Sequence, residues 1–271
     1  MSAIRSLLVL LVFLLGSVPL LAQESPSFKA LWERHLKGES PCAELRELLD
    51  QEQAPVVERF NAGYLLAVIE IGRNQADRAL ELLDRLEALR KDTAQVAIRR
   101  AEALLLGDHL DEANKVMRRV PRDGGGMSKD LQARAEIVRA RLEARRGEAK
   151  GALARLQKLA KKRKDDWEVV FFIGRTAELL DDPKLAIESY ARAIEKLPEQ
   201  DPCPGVYALQ RWAALSVSSD GSSYGNRKLL EAAIARYQAF LARAEKNAVP
   251  AELVDNVRQT IGTLEYFTKG R

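Results

Sequence analysis

The sequence predicts an all-α fold built from stacked pairs of helices, and three observations support this prediction. Helix-forming Ala, Leu, Glu, Lys and Arg dominate the 271 residues, and apolar residues recur three and four positions apart, as on one face of a helix. β-Branched residues never alternate with polar residues over a useful length, so no strand is predicted. Small residues return at a spacing of 34 residues, which indicates an internal repeat.

Residues 1–22 have the layout of a secretory signal peptide. A basic residue, Arg5, precedes the apolar run at 7–15, and the small residue Ala22 stands before a polar segment. The apolar run is too short to span a bilayer comfortably, and Pro19 would interrupt its extension. We therefore expect export to a periplasm or to the extracellular space, with no transmembrane segment left after cleavage.

Residues 55–200 carry the repeat, which consists of two small residues twelve positions apart in each of four units. The pairs are Ala67 and Ala79, Ala101 and Ala113, Ala140 and Ala152, and Gly174 and Ala186. A larger residue follows four positions after each pair, namely Leu83, Met117, Leu156 and Tyr190. Small residues let the two helices of a unit approach closely, and in the last unit we expect Gly174 to face Ala186.

This pattern resembles the tetratricopeptide repeat, a helix-turn-helix unit of 34 residues. Residues 167–200 match best, because Val170, Ile173, Gly174, Ala186, Tyr190, Ala193 and Pro198 fall on the family's positions, although Ala177 replaces its Tyr. The units at 60–93, 94–127 and 133–166 match by their period, with five extra residues near 124–128. The resemblance implies a right-handed α-solenoid that binds another protein or a peptide in its concave groove.

The two ends of the array differ from its middle. Residues 23–54 predict an N-terminal helical cap or a degenerate first repeat. Residues 201–249 predict a divergent pair, with helices at 206–217 and 227–246 and a long Ser- and Gly-rich connection that is either functional or a tolerated insertion. Residues 250–271 predict a capping helix and a tail, with Leu253, Val257, Ile261 and Leu264 on one face.

The sequence contains no recognisable catalytic, metal or cofactor motif. His35 and His109 are the two histidines, and neither has the spacing of a metal pair. The glycines at 124–126 follow no predicted strand and precede no Lys-Ser or Lys-Thr, which excludes a phosphate-binding loop. We expect a protein that is not an enzyme and that uses no cofactor or metal.

Cys42 and Cys203 are the two cysteines, and a stacked array separates them by several repeats. An internal disulfide needs Cα atoms within about 7 Å, so we do not expect one unless the chain ends fold back. Buried or capping thiols and an intermolecular bridge are the remaining alternatives.

The resemblance implies that the second, fifth and ninth residues of each first helix line the groove. These residues are Asn61, Tyr64, Val68, Gln95, Ile98, Glu102, Arg134, Ile137, Arg141, Glu168, Phe171 and Arg175. From them and the nearby Arg145 we predict a partner-binding groove formed by Tyr64, Ile98, Arg134, Ile137, Arg141, Arg145, Phe171 and Arg175. Because guanidinium groups bind carboxylates bidentately, the arginines favour an acidic partner, although they equally fit ordinary solvated charges.

Residues 139–164 hold eleven Lys or Arg against two Glu, so the basic charge is concentrated in the middle of the chain. No aromatic residues interleave this segment as a base-stacking surface requires, so nucleic acid is not predicted as a partner. Two other functions fit the sequence. One is a self-associating structural subunit of an envelope complex, and the other is a binder of anionic envelope polymer or lipid through the basic repeats.

Overall fold

The computed structural model describes residues 27–37, 39, 41–122, 125–164, 166–196, 227–244 and 251–269. These residues form twelve α-helices and contain no strand, so the all-α prediction is confirmed. The helices are α1 (Phe28–Leu36), α2 (Cys42–Asp50), α3 (Val56–Gly72), α4 (Ala76–Leu89), α5 (Ala94–Leu106), α6 (Leu110–Met117), α7 (Lys129–Arg145), α8 (Ala149–Lys162), α9 (Trp167–Leu179), α10 (Pro183–Glu195), α11 (Arg227–Ala244) and α12 (Ala251–Lys269).

The helices between residues 56 and 195 pack as four consecutive pairs. The first helices of these pairs are α3, α5, α7 and α9, and the second helices are α4, α6, α8 and α10. Each second helix except the last also packs against the first helix of the next pair, which makes the array continuous. This arrangement is an α-solenoid of stacked helix pairs, as the sequence predicted.

The turn inside each pair is closed in the same way. The residue that follows the first helix by two positions has a positive φ in all four pairs, at Asn74, Asp108, Gly147 and Asp181. In each turn the next residue's backbone N–H donates to the carbonyl oxygen five residues earlier, as His109 does to Leu104 at 2.9 Å. Asn, Asp and Gly tolerate the left-handed region better than other residues do, which explains their choice here.

Capping side chains define where several helices begin. The Ser128 hydroxyl oxygen accepts a hydrogen bond from the Leu131 N–H at 3.2 Å, and a carboxylate oxygen of Asp166 accepts one from the Val169 N–H at 3.3 Å. Asp182 accepts from the Leu185 N–H at 3.0 Å in the same manner. Asp181 and Asp182 therefore have different roles. Asp181 adopts the left-handed backbone conformation of the turn, and Asp182 is the N-cap of α10.

All eight repeated small residues are buried. Ala67, Ala79, Ala101, Ala113, Ala140, Ala152 and Ala186 have no exposed surface, and Gly174 is also buried. The larger residues that follow them are buried as well, from Leu83 to Tyr190. The interior of each pair is therefore built from the residues that define the repeat.

The ring of Tyr190 occupies the space that a side chain at position 174 would need. That Gly174 also faces Ala186 stays a prediction. A Cβ atom at position 174 would lie 2.8 Å from Cε1 and 3.0 Å from Cδ1 of Tyr190. Such distances are shorter than van der Waals contact. Glycine at this position leaves room for an aromatic ring against the helix. This reason comes in addition to the close backbone approach that the spacing suggested.

The chain outside the four pairs is described in two parts. Residues predicted as an N-terminal cap or degenerate repeat form α1 and α2, and both of these helices pack with α3. At the other end α12 packs on α11 and buries Val257, Ile261 and Leu264 against residues such as Phe240. The side chain of Leu253 is outside the described part.

Several sequence predictions concern residues that the structure does not describe. They are the signal peptide at 1–22, Pro198, Cys203, the helix at 206–217 and the connection that follows it. Among the helices that are described, none has the length and apolar character needed to cross a membrane.

Candidate functional site: the face of the first helices

The first helices form one continuous face of the solenoid. Helix α3 contacts α5, α5 contacts α7 and α7 contacts α9, whereas successive second helices lack contacts of this extent. Helices that approach their counterparts in neighbouring layers lie on the inner side of a curved stack, and the others spread apart on the outer side. We call the surface of α3, α5, α7 and α9 the first-helix face.

A network of charged and hydrogen-bonded side chains crosses the first-helix face. Glu102 on α5 is almost fully buried and accepts hydrogen bonds from Arg99 Nη1 at 2.7 Å and Arg134 Nη1 at 3.3 Å. Arg134 on α7 also binds Glu168 on α9. Arg99 Nε donates to the Tyr64 hydroxyl oxygen on α3 at 3.1 Å. The network therefore links all four first helices.

Burial and neighbouring charges shift the pKa values of Glu102 and Glu168 in opposite directions. Burial alone raises the pKa of Glu102, but Arg99, Arg134 and Arg141 outweigh it and lower that pKa to about 2. Burial also raises the pKa of Glu168, where Arg134 offsets only part of the effect and the nearby charge of Glu102 adds to it. Glu102 is thus a fixed negative charge, and Glu168 is a carboxylate that protonates more readily than usual.

Arg141 on α7 is held differently from Arg134. Its Cζ atom lies 4.7 Å from the centroid of the Phe172 ring on α9, which is a cation-π contact between two layers. It forms no hydrogen bond or ion pair with any residue that the structure describes. Burial lowers the pKa of Arg141, and the nearby carboxylates of Glu102 and Glu168 offset part of this effect. The charges of Arg134 and Arg175 lower the pKa further. An arginine remains charged despite such a shift.

Arg175 lies on the same face, on α9, and is exposed. It also has no hydrogen-bond or ion-pair partner among the described residues. Two guanidinium groups that influence one another electrostatically, one half-buried and one exposed, therefore present unused donors on the face formed by α7 and α9. This arrangement can accept an anionic group.

The structure separates the predicted groove residues into distinct environments. Tyr64, Arg134, Arg141 and Phe171 are half-buried on the first helices, and Arg175 is exposed. Arg145 is exposed at the end of α7, where it binds Asp108 in the turn between α5 and α6. The predicted groove residues therefore belong to three groups. Some have free donors, some already have partners, and two are part of the core.

The prediction that Ile98 and Ile137 line the groove is wrong. Their side chains are 0% and 2% exposed. Ile98 packs in the core cluster of Ala101 and Ala113, and Ile137 packs in the cluster of Ala140 and Ala152. At these fifth positions the side chain enters the space between layers instead of facing solvent, which suits an aliphatic residue.

Two residues of the face were not predicted, namely Arg99 and Phe172. Each stands one position after the fifth residue of its unit. Arg99 stands 35 residues, about one repeat, after Tyr64, and the two side chains form a hydrogen bond. This spacing is the feature of the sequence that could have placed Arg99 on the face. Phe172 belongs to an aromatic cluster. Its ring centroid lies 5.1 Å from that of Phe171 on the same helix, and the Phe171 centroid lies 5.6 Å from that of Tyr190 on α10.

A separate cavity of about 1100 Å³ lies between the turn before α5 and the segment before α7. Its lining includes Arg90, Thr93, Arg119 and Met127 and takes in part of the insertion near 124–128. The Thr93 hydroxyl is buried and has no hydrogen-bond partner within the described part of the chain, and it does not cap α5. Neither Arg141 nor Arg175 lines this cavity, so it is distinct from the first-helix face.

The described residues contain no group of three His, Cys, Asp or Glu side chains placed to hold a metal ion. His109 is exposed at the start of α6, and His35 is half-buried on α1, with its ring centroid 5.8 Å from that of Trp32. Cys42 begins α2 and packs against the core cluster of Leu45.

Comparisons with known proteins bear on the fold. No protein-family model matches the chain, and the search of curated proteins found no match. The structure is similar to that of TTC0263, a thermophilic TPR protein of Thermus thermophilus, with a TM-score of 0.51 and 19% identity over 76% of this chain and 98% of that chain. It also matches YrrB, described as a TPR protein with an unusual peptide-binding site, with a TM-score of 0.37 and 16% identity over 71% of this chain and 91% of that chain. The first similarity, together with the helix pairs, identifies the fold as a tetratricopeptide-type α-solenoid.

Proposed function

We propose that this chain, whose fold is a tetratricopeptide-type α-solenoid, is a non-catalytic scaffold that holds a segment of another protein on its first-helix face. The observation that carries the proposal is the pair of arginines on α7 and α9. Arg141 and Arg175 have no hydrogen-bond or ion-pair partner among the described residues, whereas the other arginines of α5 and α7, such as Arg99 and Arg134, bind Glu or Asp. Donors left unused on a face that neighbouring helices build together suit a ligand.

The proposed partner is acidic and the proposed location is the cell envelope. Arginine donors favour a partner that supplies carboxylates. The location rests on the signal-peptide layout of residues 1–22, with Arg5, the apolar run and Ala22. A fusion of residues 1–30 to a reporter that is active only after export tests the location, since an inactive reporter would contradict it.

Affinity purification of the full chain from its own cells tests the scaffold function. We would compare the wild type with Arg175→Glu and with Lys158→Glu, which makes the same charge change at an exposed residue of the second helix α8. The proposal expects proteins that are enriched by the wild type and by Lys158→Glu and that are depleted with Arg175→Glu. Equal enrichment by all three chains would contradict it.

Two further measurements address the other functions that fit the sequence. Light scattering with and without a reductant detects self-association, and a stable oligomer that buries α7 and α9 would favour a structural subunit. Sedimentation with anionic vesicles at low and high salt detects a lipid surface as partner, because such binding weakens as salt screens charge. The scaffold proposal expects a monomer and no vesicle binding.

A further inference from the structure

We infer that the outer side of helix α8 binds a flexible linear polymer that carries repeated negative charges. The binding surface consists of Lys150, Lys158, Lys161 and Lys162, and we call it the lysine row. It lies on a second helix and is therefore separate from the first-helix face. The inference does not depend on the scaffold function proposed above.

The solvent-exposed side of α8 carries positive charge only. Seven residues of this helix are exposed, and none of its 14 residues is Asp or Glu. Residues three and four positions apart on a helix lie about 5–6 Å apart between their Cβ atoms, so Lys158, Lys161 and Lys162 form one group. From Lys150 to Lys162 the row is about 18 Å long, at a rise of about 1.5 Å per residue. The other exposed residues of α8 are uncharged, namely Gly151, Ala154 and Gln157.

The other second helices of the array expose charges of both signs. Helix α4 exposes three acidic and two basic residues, and α6 exposes two acidic residues and one basic residue. Among its described side chains, α10 exposes one acidic and two basic residues. These helices occupy the same place in their layers as α8 does. An entirely basic side is therefore a property of α8 and not of the outer surface in general.

The helix dipole accounts for only part of the row. Lys161 and Lys162 lie in the last turn of α8, where positive charge is favourable. Lys150 lies in the first turn, where positive charge is unfavourable and where this helix has no acidic residue. Glu148 precedes the helix as its N-cap residue, but its side chain makes no capping hydrogen bond. Positive charge along the whole helix thus suits a ligand better than it suits the stability of α8.

Neighbouring arginines, and not the lysines, form the ion pairs of this region. Arg155 joins α8 to two carboxylates of α7, and Arg163 binds Asp130 and Asp166. The four lysines of the row have no hydrogen-bond or ion-pair partner among the residues that the structure describes. The arginines therefore stabilise the packing of α8, and the ammonium groups of the row are available to a ligand.

The chemistry of the row suits a polymer that is recognised by its charge alone. The exposed side of α8 contains no aromatic residue, no large aliphatic residue and no Arg. It lacks the anchor residues on which protein interfaces depend and the aromatic rings on which bases stack. A lysine ammonium group is a compact point charge, so it does not select phosphate over carboxylate by geometry. A flexible chain with repeated phosphates or repeated carboxylates fits the row.

A flat anionic membrane fits the row less well than a narrow chain does. The second helices of the neighbouring layers, α6 and α10, expose Asp111, Glu112 and Glu188. A flat surface that reached the lysine row would also bring its negative charges near these carboxylates, and like charges repel each other. A chain that follows α8 contacts the lysines without meeting these carboxylates.

Binding of the full chain to fluorescently labelled polyphosphate and polygalacturonate tests this inference. Fluorescence anisotropy at several salt concentrations measures the affinity. The first polymer carries phosphates and the second carries carboxylates, so the tighter of the two identifies the preferred anionic group. We expect binding at low salt that weakens steeply as salt rises, because binding releases the counterions of the polymer. Single-stranded DNA and anionic vesicles are measured in the same way for comparison.

Two variants with the same net charge assign the binding to the row. The first combines Lys158→Gln, Lys161→Gln and Lys162→Gln. The control replaces three exposed lysines of α1, α6 and α10, by Lys29→Gln, Lys115→Gln and Lys184→Gln.

The row variant should bind the better polymer at least about tenfold more weakly than the wild type does. Its slope of log affinity against log salt should be smaller by about 2–3, roughly one for each lost lysine. The control variant should keep most of the affinity, because a linear chain on α8 does not reach its substituted positions. All six lysines are exposed, so both variants should fold, and melting curves verify this.

Four outcomes would overturn the inference. They are the absence of binding to both polymers at low salt, equal weakening by the two variants, tighter binding of single-stranded DNA than of either polymer, and vesicle binding that the row variant abolishes. The third outcome would indicate recognition of bases, and the fourth would indicate a membrane surface. None of them affects the scaffold function, because the proposed ligand is not a protein and α8 does not belong to the first-helix face.

Discussion

The ring of Tyr190 occupies the space that a side chain at position 174 would need. We expect Gly174→Ala to destabilise the protein by about 1–3 kcal/mol, because the new methyl group would force the buried ring and helix α10 to shift. Urea denaturation monitored by circular dichroism measures the change.

The control for this prediction is Gly151→Ala on the exposed side of α8, where a Cβ atom meets nothing within 4 Å. Alanine favours helix by about 0.5–1 kcal/mol over glycine, so this variant should be more stable than the wild type. Equal effects of the two substitutions would contradict the packing described for Gly174.

Substitutions at the left-handed residue of a turn should change the stability of the protein. Asp181 has a φ of 55°, a conformation that β-branched residues avoid. Asp181→Val should therefore cost about 1–2 kcal/mol, whereas Asp181→Gly should be neutral or slightly stabilising. Thermal melting of both variants tests this, and a Val variant as stable as the Gly variant would show that the turn is not constrained as described.

The buried carboxylate of Glu102 predicts a dependence of stability on pH. The folded pKa, about 2, is below the ordinary value of 4.5, so Glu102 contributes stability above pH 4.5 that is lost as the pH falls toward 2. We expect Glu102→Gln to cost about 2–3 kcal/mol at pH 7 and to approach wild-type stability near pH 2. Denaturation at several pH values measures the difference.

Glu168→Gln provides the contrast, because the pKa of Glu168 is raised in the folded protein. A carboxyl group with a raised folded pKa stabilises the fold more as the pH falls through that pKa. The pH-dependent part of its contribution should therefore have the opposite sign to that of Glu102. If the effects of Glu102→Gln and Glu168→Gln on stability changed with pH in the same direction, the opposite pKa shifts described here would be contradicted.

Arg155 on α8 joins two carboxylates of α7. It binds Glu143 through two of its nitrogens, at 3.0 and 2.7 Å, and Glu136 through the third, at 2.8 Å. Lysine cannot reproduce this planar geometry, so we expect Arg155→Lys to cost about 0.5–1 kcal/mol. Lys158→Arg on the same helix is the control, since it should leave the free energy of unfolding unchanged.

The fold was predictable because its signals repeat. Four units have Ala or Gly at the same two positions, so the prediction of a helix pair in one unit supports the same prediction in the others. The contact of Gly174 with the Tyr190 ring was not predictable, because spacing places Ala186 and Tyr190 on one helix face without saying which side chain lies nearest to Gly174.

The face was predictable only in part. The repeat positions correctly place Arg134, Arg141 and Arg175 on first helices, but whether an arginine is free depends on contacts with acidic residues about one repeat away in sequence. Ile98 and Ile137 were misplaced because fifth residues do not share one environment: these two are buried in core clusters, whereas Tyr64 and Phe171 are half-buried. Arg99 took the place on the face that the pattern gave to Ile98.

Site-specific photocrosslinking tests the central claim most directly, namely that the first-helix face is where this solenoid holds its partner. A photoreactive phenylalanine analogue would replace the half-buried Phe171 on α9 or, as the control, the exposed Lys158 on α8 in the full chain in its own cells. This choice leaves Arg141 and Arg175 in place. The account predicts a discrete crosslinked protein from position 171 that is absent from position 158. Crosslinks from position 158 alone, or the same products from both positions, would contradict it.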